Sequence, residues 1–273
     1  MSFRIGSMGI SLNAIRSLRA AESLVARSSE RLASGLRINS AADDGAGLAI
    51  SERFRADIAS LSRAQLNVSD GIGLAETAQS GLSEISSLLS EARALAVQSS
   101  SGTLGGQTRT QIDTQFQAIL SDIDAIAATT AFGSFNPLND ASLQVNLTVG
   151  TSATDTITVS GVDATASGIG AGGLAVSSQT GAGSAITAID TAIGNVTSLA
   201  ARFGVTENRL ESRSRLLGAR IEATSAADSR IRDADYALES ALLTRNQILQ
   251  ESAIAVLGQA NANMSLVLKL LGT

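Results

Sequence analysis

Apolar residues recur at helical spacing near both ends of the chain, and this pattern constrains the fold more than any other feature. Near the start they follow steps of three and four and then of seven: Ile5, Met8, Leu12, Ile15, Leu18, Val25 and Leu32. Such steps keep apolar side chains on one face of an α-helix. We therefore predict an N-terminal helix that packs against another helix.

The last segment is apolar on two adjacent faces. One predicted seam consists of Leu242, Leu249, Ala253, Val256, Ala260, Val267 and Leu270. The other consists of Ile254, Leu257, Met264, Leu268 and Leu271. A helix that is apolar on two faces needs more than one neighbour.

The middle of the chain carries two further heptad stripes. One runs from Phe54 to Ala96 and predicts a helix from about Gly45 to Ser99, roughly 80 Å long at 1.5 Å per residue. The other runs from Ile186 to Ile231, and a shorter helix over 112–126 lies between them. We predict that these stripes face each other within one chain and form its core.

Between the helical regions the pattern changes to alternation. Apolar and polar residues alternate over 142–150 and 155–161, which predicts a β-hairpin. Residues 162–184 are a mixture of Gly, Ala, Ser and Thr and are predicted to form a loop of low order. The four residues Ser40 to Asp43 resemble a capping box for the long helix.

These elements predict a mainly α fold with a small β-hairpin region, in which the N- and C-terminal segments form an elongated antiparallel helical bundle or coiled coil. Residues 1–44 and 233–273 are predicted to make up one helical domain. Residues 45–184 and 185–232 are predicted to form a second domain, containing a helical pair, the hairpin, a variable loop and the returning helix.

Composition excludes most kinds of active site. The 273 residues include no Cys and no His, so thiolate catalysis, imidazole relays and the usual zinc ligands are all missing. We therefore predict no enzyme activity, no catalytic residues, no metal and no cofactor. The formal charge of −5 and the absence of a basic block predict no binding to nucleic acid. Polar residues interrupt the most apolar stretch, so no membrane span is predicted.

The two terminal segments together present more apolar surface than one chain can cover. The N-terminal helix covers only one of the two C-terminal seams, so the other requires a second chain. Contacts between unlike surfaces of identical subunits form open helical arrays unless they close into a ring. The sequence therefore predicts self-assembly into a fibre or tube.

Two long motifs resemble bacterial flagellins. The first covers residues 30–44 (ERLASGLRINSAADD) and the second residues 230–237 (RIRDADYA), and the resemblance extends over about 1–135 and 185–271. The motif residues of interest are Arg31, Leu32, Ser34, Gly35, Arg37, Ile38, Asn39, Asp43, Asp44, Asp233, Ala234, Asp235 and Tyr236. The chain resembles a short form without the family's large outer domains.

The resemblance implies a structural subunit of the extracellular flagellar filament, built through its terminal helices and serving motility. It also implies export by the flagellar type III system without a cleaved signal peptide. Its partners would be other copies of itself, other flagellins in a mixed filament, an export chaperone, the filament cap and the hook-filament junction proteins.

One segment departs from the family pattern. The stretch that the innate-immune flagellin receptor recognises corresponds to residues 89–98, with Leu89, Glu91, Arg93, Ala94 and Gln98 as the relevant positions. Strongly recognised members carry Arg where Glu91 stands and Glu where Ala94 stands. Since a reversed charge at a contact weakens binding, we predict poor recognition.

Three other functions compete with a filament subunit. A hook-filament junction protein shares the terminal helices and the export route but is present in few copies. A membrane-surface protein would need a helix with a face rich in Lys and Arg, which the C-terminal segment does not have. A carboxylate hydrolase would need a pair of acidic residues that stands out, and none does.

Overall fold

The computed structural model describes residues 7–271, with the side chains of residues 7, 8, 10, 264 and 266–271 left undescribed. In chain order the elements are α1 (Ser7–Ser34), α2 (Gly45–Ser100), α3 (Gly106–Thr129), β1 (Gln144–Thr148), β2 (Thr156–Ser160), α4 (Gln179–Arg232) and α5 (Tyr236–Leu271). The predictions of a mainly α fold, of the long helix α2 and of the hairpin are confirmed. Helix α4 begins six residues before the predicted start of its segment.

The chain divides into two compact units. The terminal unit consists of Met1–Ala56 and Ala223–Thr273, and the central unit consists of Asp57–Glu222. Helices α2 and α4 contribute residues to both units, so each unit boundary falls within a helix. The predicted domain limits follow the helix ends instead, because periodicity alone does not show where contacts between helices become sparse.

In the terminal unit, α1 and α5 pack side by side and run antiparallel. The end of α1 lies beside the start of α5, where the Tyr236 hydroxyl donates a hydrogen bond of 2.9 Å to the carbonyl oxygen of Leu32. From that point the contact extends at least as far as the buried residues Ala14 of α1 and Ala260 of α5.

The central unit is built around one hydrophobic core formed by α2, α3, α4 and the hairpin. Gln79 of α2 donates a hydrogen bond to Glu207 of α4, and Arg93 of α2 pairs with Asp190 of α4. Because residue numbers rise along one helix as they fall along the other, α2 and α4 are antiparallel. Their predicted heptad stripes are buried in this core, including Leu61, Val68, Leu82, Leu89, Ile189, Phe203, Leu210 and Leu217. The prediction that these stripes form an intramolecular core is confirmed.

The small sheet is one antiparallel hairpin. Val145 lies opposite Val159 and Leu147 lies opposite Ile157. These apolar residues turn toward the core, whereas Thr156 and Thr158 are exposed. The alternation in the sequence therefore reports a two-stranded sheet with one covered face.

The segment between β2 and α4, residues 161–178, is packed and not of low order, so that prediction is wrong. Its apolar residues are buried in the core: Val162, Ala164, Ala166, Ile169, Ala171 and Val176. The N–H groups of Ala166 and Val176 donate to the carboxylates of Asp124 and Asp113 at 2.7 and 2.6 Å. Side chains of α3 thus satisfy a backbone that forms no ladder of its own.

Further hydrogen bonds hold the same segment from both sides. Gln117 of α3 donates to the carbonyl oxygen of Leu174 at 2.7 Å, and Asn195 of α4 donates to that of Ile169 at 2.9 Å. Gly170 and Gly173 have φ angles of 90° and 69°, which glycine adopts without strain. The segment is rich in Gly and Ala because its backbone turns sharply in a narrow space.

Two glycines in the long helices offer a test of packing in the central unit. A Cβ at Gly81 would lie 2.6 Å from Cδ1 of the buried Leu138 and 2.8 Å from Oγ1 of Thr130. We expect Gly81→Ala to lower the free energy of unfolding by about 1–3 kcal/mol because of this crowding. The measurement is urea unfolding of the full chain followed by circular dichroism.

Gly204 is the matched control, since it lies in α4 with nothing within 4 Å of an added Cβ. We expect Gly204→Ala to raise stability by roughly 0.5–1 kcal/mol, because alanine favours the helical state. Equal effects of the two substitutions would contradict the packing described for Gly81.

Candidate functional site

The two connections of the terminal unit meet at one place, here called the junction: residues 35–44 between α1 and α2, and residues 233–235 between α4 and α5. Leu36 and Asp233 form an antiparallel bridge. The N–H of Arg37 donates to the carbonyl oxygen of Arg232 at 2.6 Å, and that of Ala234 donates to Gly35 at 2.9 Å. The backbone itself therefore fastens the two connections together.

The first motif ends helix α1. Gly35 has a φ of 72°, in the left-handed region that favours glycine, and its N–H donates to the carbonyl oxygen of Arg31 at 2.9 Å. This geometry is a common helix C-terminus. The Ser34 hydroxyl accepts hydrogen bonds from Asn39, at 3.1 Å, and from the N–H of Leu36. The turn is thus closed by its own side chains.

Two aspartates begin the next helices in the same way. The Asp44 carboxylate accepts from the N–H groups of Ala46 and Gly47, and the Asp235 carboxylate accepts from those of Ala237 and Leu238. Both residues are therefore N-caps, of α2 and α5 respectively. The predicted capping box places the N-cap at Ser40, four residues before the N-cap at Asp44.

Asp43 stabilises the loop before this cap. Its carboxylate accepts from the N–H groups of Ser40 and Asn39 and from the Ser40 hydroxyl. The backbone hydrogen bond from Ser40 is the main cause that lowers the pKa of Asp43, with a smaller contribution from Arg31. The folded junction therefore stabilises the charged form of this carboxylate.

Arginines connect the junction to the helices around it. Arg31 lies 3.7 Å from Asp43 and 3.9 Å from the buried carboxylate of Glu239. Arg37 donates to the carbonyl oxygen of Ile231 at 2.6 Å. These contacts bring side chains from α1, the first connection and α5 to one place.

Arg232 completes the junction on the other side. It donates to the carbonyl oxygen of the buried Ile38 at 3.3 Å and pairs with Glu52 at 3.0 Å. The pKa of Glu52 is lowered chiefly by its hydrogen bond with Arg55 and further by Arg232. Thus α4 is tied to α2 within the terminal unit.

The motif residues named from the sequence lie in this junction, in the last turn of α1 or at the first residue of α5. They contact one another within one chain, so the motif is first of all a structural clamp that sets α1 beside α5. Glu52 and Glu239 belong to the same network and were missed by sequence reasoning. A signal for Glu239 exists, because Glu239, Asn246, Ala253 and Ala260 follow steps of seven.

The seam between α1 and α5 is made mostly of small or polar residues. Its buried members are Ala14, Ala21 and Ser28 on α1 and Glu239, Asn246, Ala253 and Ala260 on α5. Small side chains let two helices approach closely. They also leave the larger apolar residues at the edges or outside.

The structure divides the residues of the predicted seams differently. Ala253 and Ala260, from the first predicted seam, and Leu257, from the second, turn toward α1. The half-buried members of the predicted assembly set are Ile15, Leu18, Val25, Leu32, Leu242 and Leu257, and the exposed members are Leu12, Leu249 and Val256. Ile5 and the side chains of Met8, Met264, Val267, Leu268 and Leu271 lie outside the described residues.

Exposed apolar residues lie on several sides of the α1–α5 pair. The surface that they form together is here called the outer apolar face. Leu238, Ile248 and Ile254 are 59%, 57% and 53% exposed. The remaining members are Leu12, Leu24, Leu249 and Val256. At 100° per residue, Leu238, Leu249 and Val256 flank the seam on one side and Ile254 flanks it on the other.

The segment predicted for receptor contact lies on α2 in the central unit. Leu89 is buried in the core, whereas Glu91, Arg93, Ala94 and Gln98 are exposed. Arg93 pairs with Asp190 at 2.6 Å, and this hydrogen bond lowers the pKa of Asp190. Four of the five positions are therefore open to a partner.

The described residues contain no cluster of three or more acidic side chains arranged to hold a metal ion. Over the same residues, none of the helices combines the length and the apolarity that crossing a membrane requires.

Comparison with known proteins identifies the two motif regions. Residues 5–142 match the model of the bacterial flagellin N-terminal helical region, and residues 186–271 match that of the bacterial flagellin C-terminal helical region. Together they span well over half of the chain.

Several relatives match along most of their length. A flagellin of Halalkalibacterium halodurans is 41% identical over 244 residues, covering 89% of this chain and 90% of the relative. The flagellin of Bacillus subtilis is 35% identical and covers 98% of this chain and 99% of the relative. A flagellar filament core protein of Treponema maltophilum is 33% identical, with 89% and 90% covered.

Solved structures show the same fold. Bacillus cereus flagellin superposes with a TM-score of 0.51 at 29% identity, covering 55% of this chain and 88% of that structure. A protein of Vibrio parahaemolyticus described as a flagellar hook-associated protein gives a TM-score of 0.59 at 15% identity, covering 70% and 100%. The second match concerns the fold alone.

The family is a structural one, which confirms the prediction that the chain is not an enzyme. The chain belongs to the bacterial flagellin family and is a structural subunit of the extracellular flagellar filament.

Proposed function

We propose that the chain enters the filament through the outer apolar face of the α1–α5 pair. The observation that carries this proposal is the distribution of side-chain size. The seam inside one chain buries alanines, whereas leucines and isoleucines of the same two helices stay exposed. A soluble monomer gains nothing from this arrangement, but a neighbouring copy that covers these side chains does.

The gain from covering this face is large enough to hold subunits together. Burying an apolar side chain fully is worth about 1.5–3 kcal/mol, so covering the exposed half of each contributes roughly 1 kcal/mol. The summed contribution of seven such side chains is larger than the stabilisation that a single exposed ion pair provides. Because these side chains are uncovered in a free monomer, we expect its terminal helices to be less stable than its central unit.

Filament growth then couples folding to binding. The terminal helices become fully stable only when a neighbour covers them, so ordering and docking occur together. The same property suits export in an unfolded state through the flagellar type III system without a cleaved signal peptide, with a chaperone covering the C-terminal helix. The sequence has no cysteine, so no oxidative cross-link has to form outside the cell.

Other flagellar proteins would meet the same surface. The filament cap and the hook-filament junction proteins would cover the outer apolar face of the subunits at the two ends of the filament. A second flagellin with a similar face would enter a mixed filament.

Assembly through the outer apolar face predicts the effect of Leu249→Gln combined with Val256→Gln. Both side chains lie outside the seam, so the fold of the monomer should stay intact. Loss of about 1 kcal/mol at each should raise the critical concentration for polymerisation roughly tenfold or more. Sedimentation of seeded filaments over a range of protein concentrations measures this critical concentration.

Ser252→Gln is the matched control, because Ser252 is an exposed polar residue of the same helix. It should polymerise as the unmodified chain does. Unchanged polymerisation of the double variant, with filaments of normal appearance by electron microscopy, would rule out this face as an assembly contact.

The exposed side of α2 around residue 91 bears on immune recognition. Glu91 and Ala94 are exposed. Glu91 has the charge opposite to that of the Arg at this position in strongly recognised flagellins, and Ala94 lacks the negative charge of their Glu. Weak activation of the innate-immune flagellin receptor follows, because a reversed charge at a contact opposes binding.

We expect Glu91→Arg combined with Ala94→Glu to increase receptor activation by purified monomer at least tenfold. Dose–response curves on receptor-bearing cells give the comparison, and Ser83→Arg, an exposed position on the same helix, serves as the control. Strong activation by the unmodified monomer at low concentration would show that the prediction is wrong.

A further inference from the structure

An arginine row runs along one face of α4 in the central unit. At 100° per residue, positions separated by 7, 11 and 18 residues lie within about 20° of one another on a helix. The row consists of Arg202, Arg209, Arg213 and Arg220 and spans about 40° around the helix. Among the described residues none of these side chains has an ion pair or a hydrogen bond.

The surroundings of the row leave it open to a partner. Glu207 and Glu211 project from the opposite side of α4, where they contact Gln79 and Arg215. Val205 and Leu216 flank the row and are 60% and 48% exposed. Both charge and apolar surface are therefore available on this face.

Two cavities lie between the row and strand β2. One has a volume of about 410 Å³ and the other about 610 Å³, and Val205 and Arg209 line both. The second also contacts Arg213 and Leu216. This face of α4 is thus indented, so side chains from a docked surface have space to enter.

A carboxylate row runs along α2 of the same unit. Asp70, Glu84 and Glu91 are 14 and 7 residues apart, which places them within about 60° of one another on the helix. All three are exposed, and none has an ion pair with a described residue. Leu66 lies in the same row and is 55% exposed.

The two rows match in length, charge and apolar content. The arginine row spans roughly 27 Å and the carboxylate row roughly 31 Å at 1.5 Å per residue. Between Asp70 and Glu91 helix α2 has no Arg or Lys. Arg63, seven residues before Asp70, limits the row at one end, and Arg93 at the other end projects from the opposite side and is paired with Asp190. Each row therefore has one sign of charge and at least one exposed apolar residue.

We propose that the arginine row of one copy docks against the carboxylate row of a neighbouring copy. The inference rests on the proposed function, since it adds a second contact to subunits already joined through the outer apolar face. Unlike surfaces meet in this contact, so it propagates from copy to copy and fits an open helical array. A second copy is favoured over a nucleic acid because the complementary carboxylates are present on every subunit.

Charge exchange between the rows tests the proposal. Arg209→Glu with Arg213→Glu places like charges across the contact, and Glu84→Arg with Glu91→Arg does the same from the other side. Each double variant should raise the critical concentration at least tenfold. The chain that carries all four substitutions should recover polymerisation, as should an equimolar mixture of the two double variants.

Control variants separate this contact from other effects. Arg215→Glu and Glu76→Arg lie outside the rows and should polymerise as the unmodified chain does. Arg209→Gln with Arg213→Gln removes charge without reversing it and should raise the critical concentration by a smaller factor, even if the reversed variants fold poorly. Circular dichroism verifies the fold of each variant.

The results that overturn the proposal are distinct from a failure of the proposed function. Normal polymerisation of both double variants overturns it, and so does a folded fourfold variant that fails to recover. Loss of binding to a single-stranded DNA oligonucleotide in the arginine variant, with polymerisation unchanged, assigns the row to a polyanion instead. If Leu249→Gln with Val256→Gln polymerises normally while the charge variants do not, the proposed contact through the outer apolar face is wrong. The proposed contact between the two charged rows is then supported.

Discussion

The narrow seam between α1 and α5 is the constraint on which the terminal unit depends. Alanines at seven-residue spacing let the two helices approach, but they bury little apolar surface within one chain. The larger side chains are displaced to the flanks, where they meet solvent in a single copy. A helix pair of this kind needs further stabilising contacts, either at its ends or with neighbouring copies. The junction provides the first kind, and the outer apolar face is proposed to provide the second.

The junction stabilises the helix pair at the end of α1 and the start of α5. Backbone bridges between the two connections, the caps at Asp44 and Asp235 and the contacts of Arg31 and Arg232 fix where α1 stops and where α5 starts. Because these polar groups bond within the chain, the family motif forms a structural clamp between the two connections. In the terminal unit, the surface that we propose for contact with partners is the outer apolar face.

Periodicity predicted the helices well because apolar steps of three, four and seven record helix contacts directly. It predicted the hairpin for the same reason, with a period of two. It did not predict the packing of residues 161–178, because that segment is held by Asp113, Asp124 and Asn195, which are distant in sequence. The sequence also grouped Ala253 with Leu249, since a pattern shows which residues are apolar but not which neighbour covers each of them.

The two proposed contacts differ in what each contributes to a filament. Apolar burial at the terminal helices is non-directional and supplies most of the free energy of association. Rows of opposite charge add less affinity, but they disfavour a wrong register, because a shifted copy leaves charges at the ends of the rows unpaired. A subunit with both kinds of surface combines strong association with a defined geometry. The arginine row and the carboxylate row lie on the unit whose fold is complete within one chain, so the charges are already in position when the terminal helices dock.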